Sequence, residues 1–222
     1  RAPETSGGRR LVALGDSFTY GQGVRTDEAF PAQLEQRMTD TEVLNFGTPG
    51  FNLDEAADQL EFFAAAWRPD AAVLLVSNND LEAPLCSWKD SSQFSPLRRL
   101  YLARPLMMPA PQNRDEAMWD RALARLKGLV PELYVVVLKD PFRDGIQQGP
   151  LPHTPGVRLL DARMWNSGTE ALETIEREGH LTARGNADLA ERVGAWISGA
   201  GESAGPSGAQ GSPGARRPAR PR

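Results

Sequence analysis

Four short segments of this 222-residue chain carry residues able to do nucleophilic chemistry together: a serine, a glycine, an asparagine and a histidine, each at a turn. Ser17 lies in Gly15-Asp16-Ser17, directly after the apolar run Leu11-Val12-Ala13-Leu14. A serine on the turn after a strand projects its hydroxyl into the crevice above a sheet. A helix starting there aims free backbone N–H groups at the same place. Gly47, in Asn45-Phe46-Gly47-Thr48-Pro49-Gly50, lets the backbone approach a ligand closely, so that its N–H can serve an oxyanion. Asn79, in Ser77-Asn78-Asn79-Asp80, can donate from its amide to the same oxyanion. His180, in Gly179-His180-Leu181-Thr182, precedes the last helical pattern. A hydroxyl is a poor nucleophile until a base takes its proton, and imidazole titrates in the useful range. Taken singly, the serine and glycine segments read better as ordinary turns, and the histidine as a structural or merely exposed residue. Together, at successive element ends, they point to one site. The other histidine, His153, lies between prolines in Leu151-Pro152-His153-Thr154-Pro155 and reads as a surface loop residue.

The elements that must position these residues follow from the apolar pattern. Strands are predicted over 11–14, 43–46, 71–76 and 133–138, with a weaker one over 157–160. Helices are predicted from Pro31 to about Met38, and from a cap at Asn52 or Asp54 through Trp67. Further helices are expected over about 115–127, about 169–177 and 183–197. Strands alternating with helices imply a parallel sheet covered on both faces and wound right-handed. Sites in such sheets lie beyond the carboxyl ends of the strands, where each of the first three motifs begins. Residues 1–9 read as a loose lead-in and 10–198 as one domain. Within it, 81–113 read as a proline-rich insertion over the crevice. Its Trp88, Leu97, Leu100 and Met107 would either line an acyl pocket or form a satellite core. Residues 199–222 are Gly, Ala, Ser, Pro and Arg without apolar periodicity, which predicts disorder.

Composition removes several alternatives. The chain is 24 % charged and 40 % hydrophobic with a net charge of −4, and its last 24 residues hold four arginines against one glutamate. The body before them is therefore more acidic than the whole. It interleaves no basic residues with aromatics, which argues against nucleic-acid binding. The single cysteine, Cys86, forms no intrachain disulfide, and two separated histidines give no metal-ligand cluster. No stretch approaches the roughly 20 apolar residues that span a bilayer. Neither a G-x-G-x-x-G after the first strand nor a Walker-type motif occurs. The first residue is Arg1, so the removal of an upstream signal or anchor and an extracytoplasmic location are expectations. Location and oligomeric state are otherwise left open.

The ordered set Gly15-Asp16-Ser17, Gly47, Asn79-Asp80 and His180 resembles the SGNH hydrolase superfamily, the GDSL-like esterases, over residues 11 to about 196. Residues 15–24, Gly-Asp-Ser-Phe-Thr-Tyr-Gly-Gln-Gly-Val, with Val43-Leu44-Asn45-Phe46-Gly47, are similar to a bacterial group within it. The resemblance implies an α/β fold, a flavodoxin-like three-layer αβα sandwich with a five-stranded parallel sheet. It implies a serine esterase with Ser17 as nucleophile and His180 as base. The oxyanion hole would be formed by the N–H groups of Ser17 and Gly47 and the Asn79 amide, supported by Asp16 and Asp80. No metal or organic cofactor is implied, and the substrate would be a small-molecule, lipid or glycan ester with an acetyl or longer acyl group. Two positions depart from the family pattern. Ser77 stands where a glycine is usual, two residues before Asn79. Arg177 stands where an aspartate is usual, three residues before His180. The acid is then Glu178, Glu176 or absent, the last giving a Ser-His dyad. The same residues would serve an O-acyltransferase, or persist in a non-catalytic ligand-binding relative. Deleting everything after Gly199 is expected to leave circular dichroism and ester turnover intact; a large loss of either would make the tail part of the domain.

Overall fold

In the computed structural model, which describes residues 8–82, 116–139, 150–166 and 171–199, the apolar runs pair into one sheet. The strands are β1 (Arg9–Gly15), β2 (Thr41–Gly47), β3 (Ala71–Val76), β4 (Glu132–Val137) and β5 (Arg158–Asp161). Their order is β2-β1-β3-β4-β5 and every pairing is parallel. This is the flavodoxin-like order, which reverses direction between β1 and β3. Both faces of the sheet are covered, which is why β3 reads as an unbroken apolar run with all six residues buried.

The helices are α1 (Ser17–Tyr20), α2 (Phe30–Glu35), α3 (Leu53–Trp67), α4 (Glu116–Leu129) and α5 (Ala183–Ile197). Alternate strand residues feed two separate cores. Leu11, Val73 and Val136 pack with Leu34 of α2 and Leu189 and Val193 of α5. Val12, Leu74 and Val135 pack on the other face with Leu60 of α3 and Trp119 and Leu123 of α4. The result is the three-layer αβα sandwich that the resemblance implied.

Side chains at the helix starts tie these layers to the loops around the crevice. Asn52 and Glu55 cap α3 reciprocally, each accepting the other's backbone N–H at 3.0 Å. The next N–H, that of Leu53, donates to the Asp80 carbonyl at 3.1 Å, which joins α3 to the loop after β3. Thr182 caps α5 by accepting from the Gly185 N–H at 3.1 Å. One turn further on, the buried Asn186 accepts the Phe30 N–H at 2.9 Å and donates to the Leu181 and Thr182 carbonyls. That side chain fixes the start of α5 against the start of α2.

Several expectations are corrected. The helix expected over about 169–177 is absent from its described residues. Thr174 forms an antiparallel bridge with Leu181, and the Ile175 N–H donates to the His180 carbonyl at 2.7 Å. Arg177 (φ 67°) and Gly179 (φ 83°) are left-handed, which closes a tight turn and breaks any helix. Arg9 belongs to β1, paired with Thr41, and not to a loose lead-in. Helix α2 ends at Glu35, earlier than expected, because the chain must reverse at left-handed Asp40 (φ 50°) to enter β2. Two 3₁₀ turns, Thr26–Glu28 and Arg163–Asn166, fall where no element was expected. Apart from Leu81 and Glu82, the insertion expected over 81–113 lies outside the described residues, as does the tail after Gly199.

Replacing Asn186 with alanine strands the buried Phe30 N–H and empties two carbonyls. Urea unfolding is expected to show a loss of about 1–3 kcal/mol. A variant as stable as the parent would show that the α2–α5 junction rests on apolar packing alone.

Candidate active site

Ser17 is the first residue of α1, placed beyond the end of β1 where the strand order reverses. The turn that delivers it is held on both sides. Gly15 has φ 141°, and a Cβ there would lie 2.4 Å from Thr19 Oγ1 and 2.9 Å from the Leu75 carbonyl oxygen. Asp16 caps the helix by accepting the Phe18 N–H at 2.9 Å. Thr19 Oγ1 donates back to the Leu14 carbonyl at 3.0 Å.

His180 Nε2 stands 2.8 Å from Ser17 Oγ, so the structure brings the expected nucleophile and base into contact. The imidazole is positioned by the bridged turn before α5 and by the Phe18 ring, whose centroid lies 5.3 Å away. Nδ1, at the other edge of the ring, is buried and has no hydrogen-bond partner. The Glu178 carboxylate comes within 3.6 Å of it, beyond hydrogen-bonding distance. That carboxylate is 43 % exposed and lies 3.5 Å from Gln22 Nε2. Glu176 is exposed, as is His153.

Gly47 lies directly under α1. A Cβ there would come 2.1 Å from the Tyr20 nitrogen and 2.5 Å from the Thr19 carbonyl carbon, so only glycine permits the contact. Its N–H donates to Asn45 Oδ1 at 2.9 Å, while Asn45 Nδ2 lies 3.3 Å from the Tyr20 carbonyl oxygen. The single hydrogen of the Gly47 N–H, an expected oxyanion donor, is therefore already taken by an internal partner. The N-x-G spacing is the sequence signal for this bond, since asparagine side chains commonly accept an N–H two residues on.

Asn79 is exposed and its Nδ2 donates to Asp16 Oδ2 at 3.1 Å. Ser77 Oγ lies 2.6 Å from Asn79 Oδ1 and 3.2 Å from Asp16 Oδ2. The Ser77 N–H donates to the Asp80 carboxylate. Asp16 and Asp80 are only 2 % and 1 % exposed. Burial first, then the nearby Asp16 charge, push the Asp80 carboxyl well above the ordinary carboxylate range. Sequence reasoning placed Asp16 and Asp80 in support, but noticed Ser77 only as a departure and missed the parts of Asn45, Gln22 and Phe18. Among the described residues, no three His, Cys, Asp or Glu side chains are grouped to hold a metal ion. Nor is any described helix long and apolar enough to cross a membrane.

This sheet and this set of strand-end residues define the class. The chain belongs to the GDSL-like Lipase/Acylhydrolase family, whose model matches residues 13–187. Solved structures share its fold. A member of the lipolytic protein G-D-S-L family from Veillonella parvula is 14 % identical with a TM-score of 0.53, covering 85 % of this chain and 97 % of its own. TesA is 16 % identical with a TM-score of 0.54, covering 86 % and 97 %. A carbohydrate acetylesterase family member from Sinorhizobium meliloti is 14 % identical with a TM-score of 0.50, covering 85 % and 97 %. No curated protein sequence matches the chain.

The Asp80 carboxyl yields a signed pH dependence. Unfolded, an aspartate ionises near pH ~3.9. Folded, Asp80 keeps its proton to higher pH, so it withdraws stability as pH rises from about 4 toward its raised pKa. Asp80→Asn removes this loss. The urea midpoint of Asp80→Asn is expected to rise relative to the parent's as pH increases above about 4. A difference that stays constant with pH would mean Asp80 is ionised in the folded protein.

Proposed function

We propose that the protein is a serine esterase that hydrolyses a carboxylic ester through an acyl-enzyme on Ser17. The observation that carries this reading is the 2.8 Å contact between His180 Nε2 and Ser17 Oγ at the start of α1. In the first step Ser17 Oγ attacks the ester carbonyl carbon and its proton passes to Nε2. For Nε2 to accept it, the resting imidazole must carry its proton on Nδ1, the buried edge nearest Glu178. A side-chain movement of less than about 1 Å brings the Glu178 carboxylate into hydrogen-bonding range of that edge. There it would stabilise the imidazolium.

The negative charge on the carbonyl oxygen falls to the N–H of Ser17 at the helix start and to the second hydrogen of the Asn79 amide. The Gly47 N–H joins them once Asn45 releases it. Donors of this kind are worth roughly 2.7–4 kcal/mol each at the transition state. His180 then protonates the leaving alkoxide, the alcohol departs, and water attacks the acyl-enzyme with His180 again as base; the acyl–Oγ bond breaks, His180 returns the proton to Ser17 and the carboxylic acid leaves. None of these steps calls on a metal or organic cofactor. Small-molecule, lipid and glycan esters all suit this chemistry, and the acyl length is set by walls that chain-length kinetics will read.

Hydrolysis of p-nitrophenyl acetate, butyrate and octanoate tests the proposal. Ser17→Ala and His180→Ala are each expected to lower kcat by about 10³-fold or more. Glu178→Ala is expected to cost about tenfold, and an unchanged rate there would leave a Ser17–His180 dyad. If the parent and Ser17→Ala are equally inert on all three esters, the esterase reading is wrong. Acyl transfer to an added alcohol in preference to water would make the protein an O-acyltransferase.

A further inference from the structure

We propose that Ser77 is a positioning residue that fixes the orientation of the Asn79 amide, so that an N–H rather than the carbonyl oxygen faces the substrate. The proposal rests on the esterase reading and adds to it the residue that makes Asn79 a donor. A primary amide has two ends of nearly equal size, one accepting and one donating. Asn79 is exposed, so hydrogen bonds and not packing must decide which end points where. Its neighbours leave one solution. The Asp16 carboxylate, which only accepts, stands 3.1 Å from Nδ2. The Ser77 hydroxyl, which has one proton to give, stands 2.6 Å from Oδ1 and farther, 3.2 Å, from Asp16 Oδ2.

Turning the amide over would set its oxygen against the Asp16 carboxylate with no proton between them. Swinging the Ser77 proton to Asp16 would leave two oxygens 2.6 Å apart with no hydrogen to share. Turning the amide and the hydroxyl together would still set Oδ1 against the Asp16 oxygen, whereas the observed arrangement gives both Asp16 Oδ2 and Asn79 Oδ1 a donor. It uses one hydrogen of Nδ2 and leaves the second for the substrate oxygen.

Ser77 is itself rigidly placed. It is buried immediately after β3, its N–H is held by the Asp80 carboxylate, and its carbonyl accepts the Asp80 N–H at 3.2 Å. The serine that stands in place of the family's usual glycine thus supplies a second, independent lock on the oxyanion donor, which glycine could not supply.

The test is steady-state hydrolysis of p-nitrophenyl butyrate by the parent, Ser77→Ala, Ser77→Gly, Asn79→Ala and the double variant Ser77→Ala/Asn79→Ala. Both Ser77 variants shorten a buried side chain and are expected to fold. Each should lower kcat about fivefold to tenfold with KM within about twofold, the signature of an interaction felt mainly in the transition state. Asn79→Ala should cost more, and adding Ser77→Ala to it should cost nothing further. A Ser77→Ala enzyme with full kcat overturns the proposal. So does a loss of the same size with and without the Asn79 side chain. Undiminished turnover by Ser17→Ala overturns the esterase reading instead, which keeps the two failures apart.

Discussion

The site is organised around one buried carboxylate, that of Asp16. Burying a charge is costly unless hydrogen bonds replace its water, and Asp16 gathers its donors from two different strand ends. One oxygen caps α1 through the Phe18 N–H, which sets the first turn that carries Ser17. The other accepts from the Asn79 amide and lies beside the Ser77 hydroxyl, both on the loop after β3. The carboxylate therefore joins the helix of Ser17 to the Asn79 amide across the point where the strand order reverses. The second buried carboxyl, Asp80, sits one peptide beyond Asn79 and holds the Ser77 N–H. Burial away from water, and after it the neighbouring Asp16 charge, disfavour a second ionised carboxyl here and raise the Asp80 pKa.

The rest of the fold keeps these groups in register. β1 and β3 are neighbours, with Leu11 opposite Ala71 and Leu14 opposite Leu74, so their carboxyl ends open on the same edge of the sheet. β2 flanks β1 on the other side and brings Gly47 up beneath α1, where the absence of a side chain lets helix and strand meet. His180 arrives from the far end of the sequence. Its loop is pinned twice, by the Thr174–Leu181 bridge behind it and by the Thr182 cap and Asn186 bonds in front. A side chain 163 residues from Ser17 is thus placed within 2.8 Å of it by local bonds that do not involve the serine.

Much of this was legible in the sequence. Continuous apolar runs such as Ala71–Val76 announce buried parallel strands, and a cap at Asn52 or Asp54, of which the fold uses Asn52, and the helix after Thr182 follow from residue type and spacing. Short-range periodicity does not reach the remainder. Helix α1 has four residues, too few to show a repeat, and the turn before His180 is made by two left-handed residues, one of them an arginine. Arginine carries no turn signal, so Thr169–Arg177 looked like one more helix. The hydrogen bonds from Asn45 to Gly47 and from Ser77 to Asn79 are local in sequence. Their meaning, however, depends on α1 and Asp16, which only the folded chain brings near.

The family's usual acid position carries no acid here, and the left-handed turn runs through it. Arg177 stands exposed on it, three residues before His180, whereas Glu178 is one step nearer to the ring and one methylene longer than an aspartate. The longer side chain covers part of the distance that the altered position leaves, and stops 3.6 Å from Nδ1. In the tautomer the proposed mechanism requires, the Nδ1–H at this buried edge lacks a bond at rest, a debt of about 1–3 kcal/mol that a carboxylate would cancel. In the proposed mechanism the attraction rises once the ring takes Ser17's proton and becomes a cation, so the bond would gain strength in the step that needs it. A loose acid at rest that tightens on charge formation stabilises the transition state more than the ground state, which is the condition for an interaction to accelerate the chemistry.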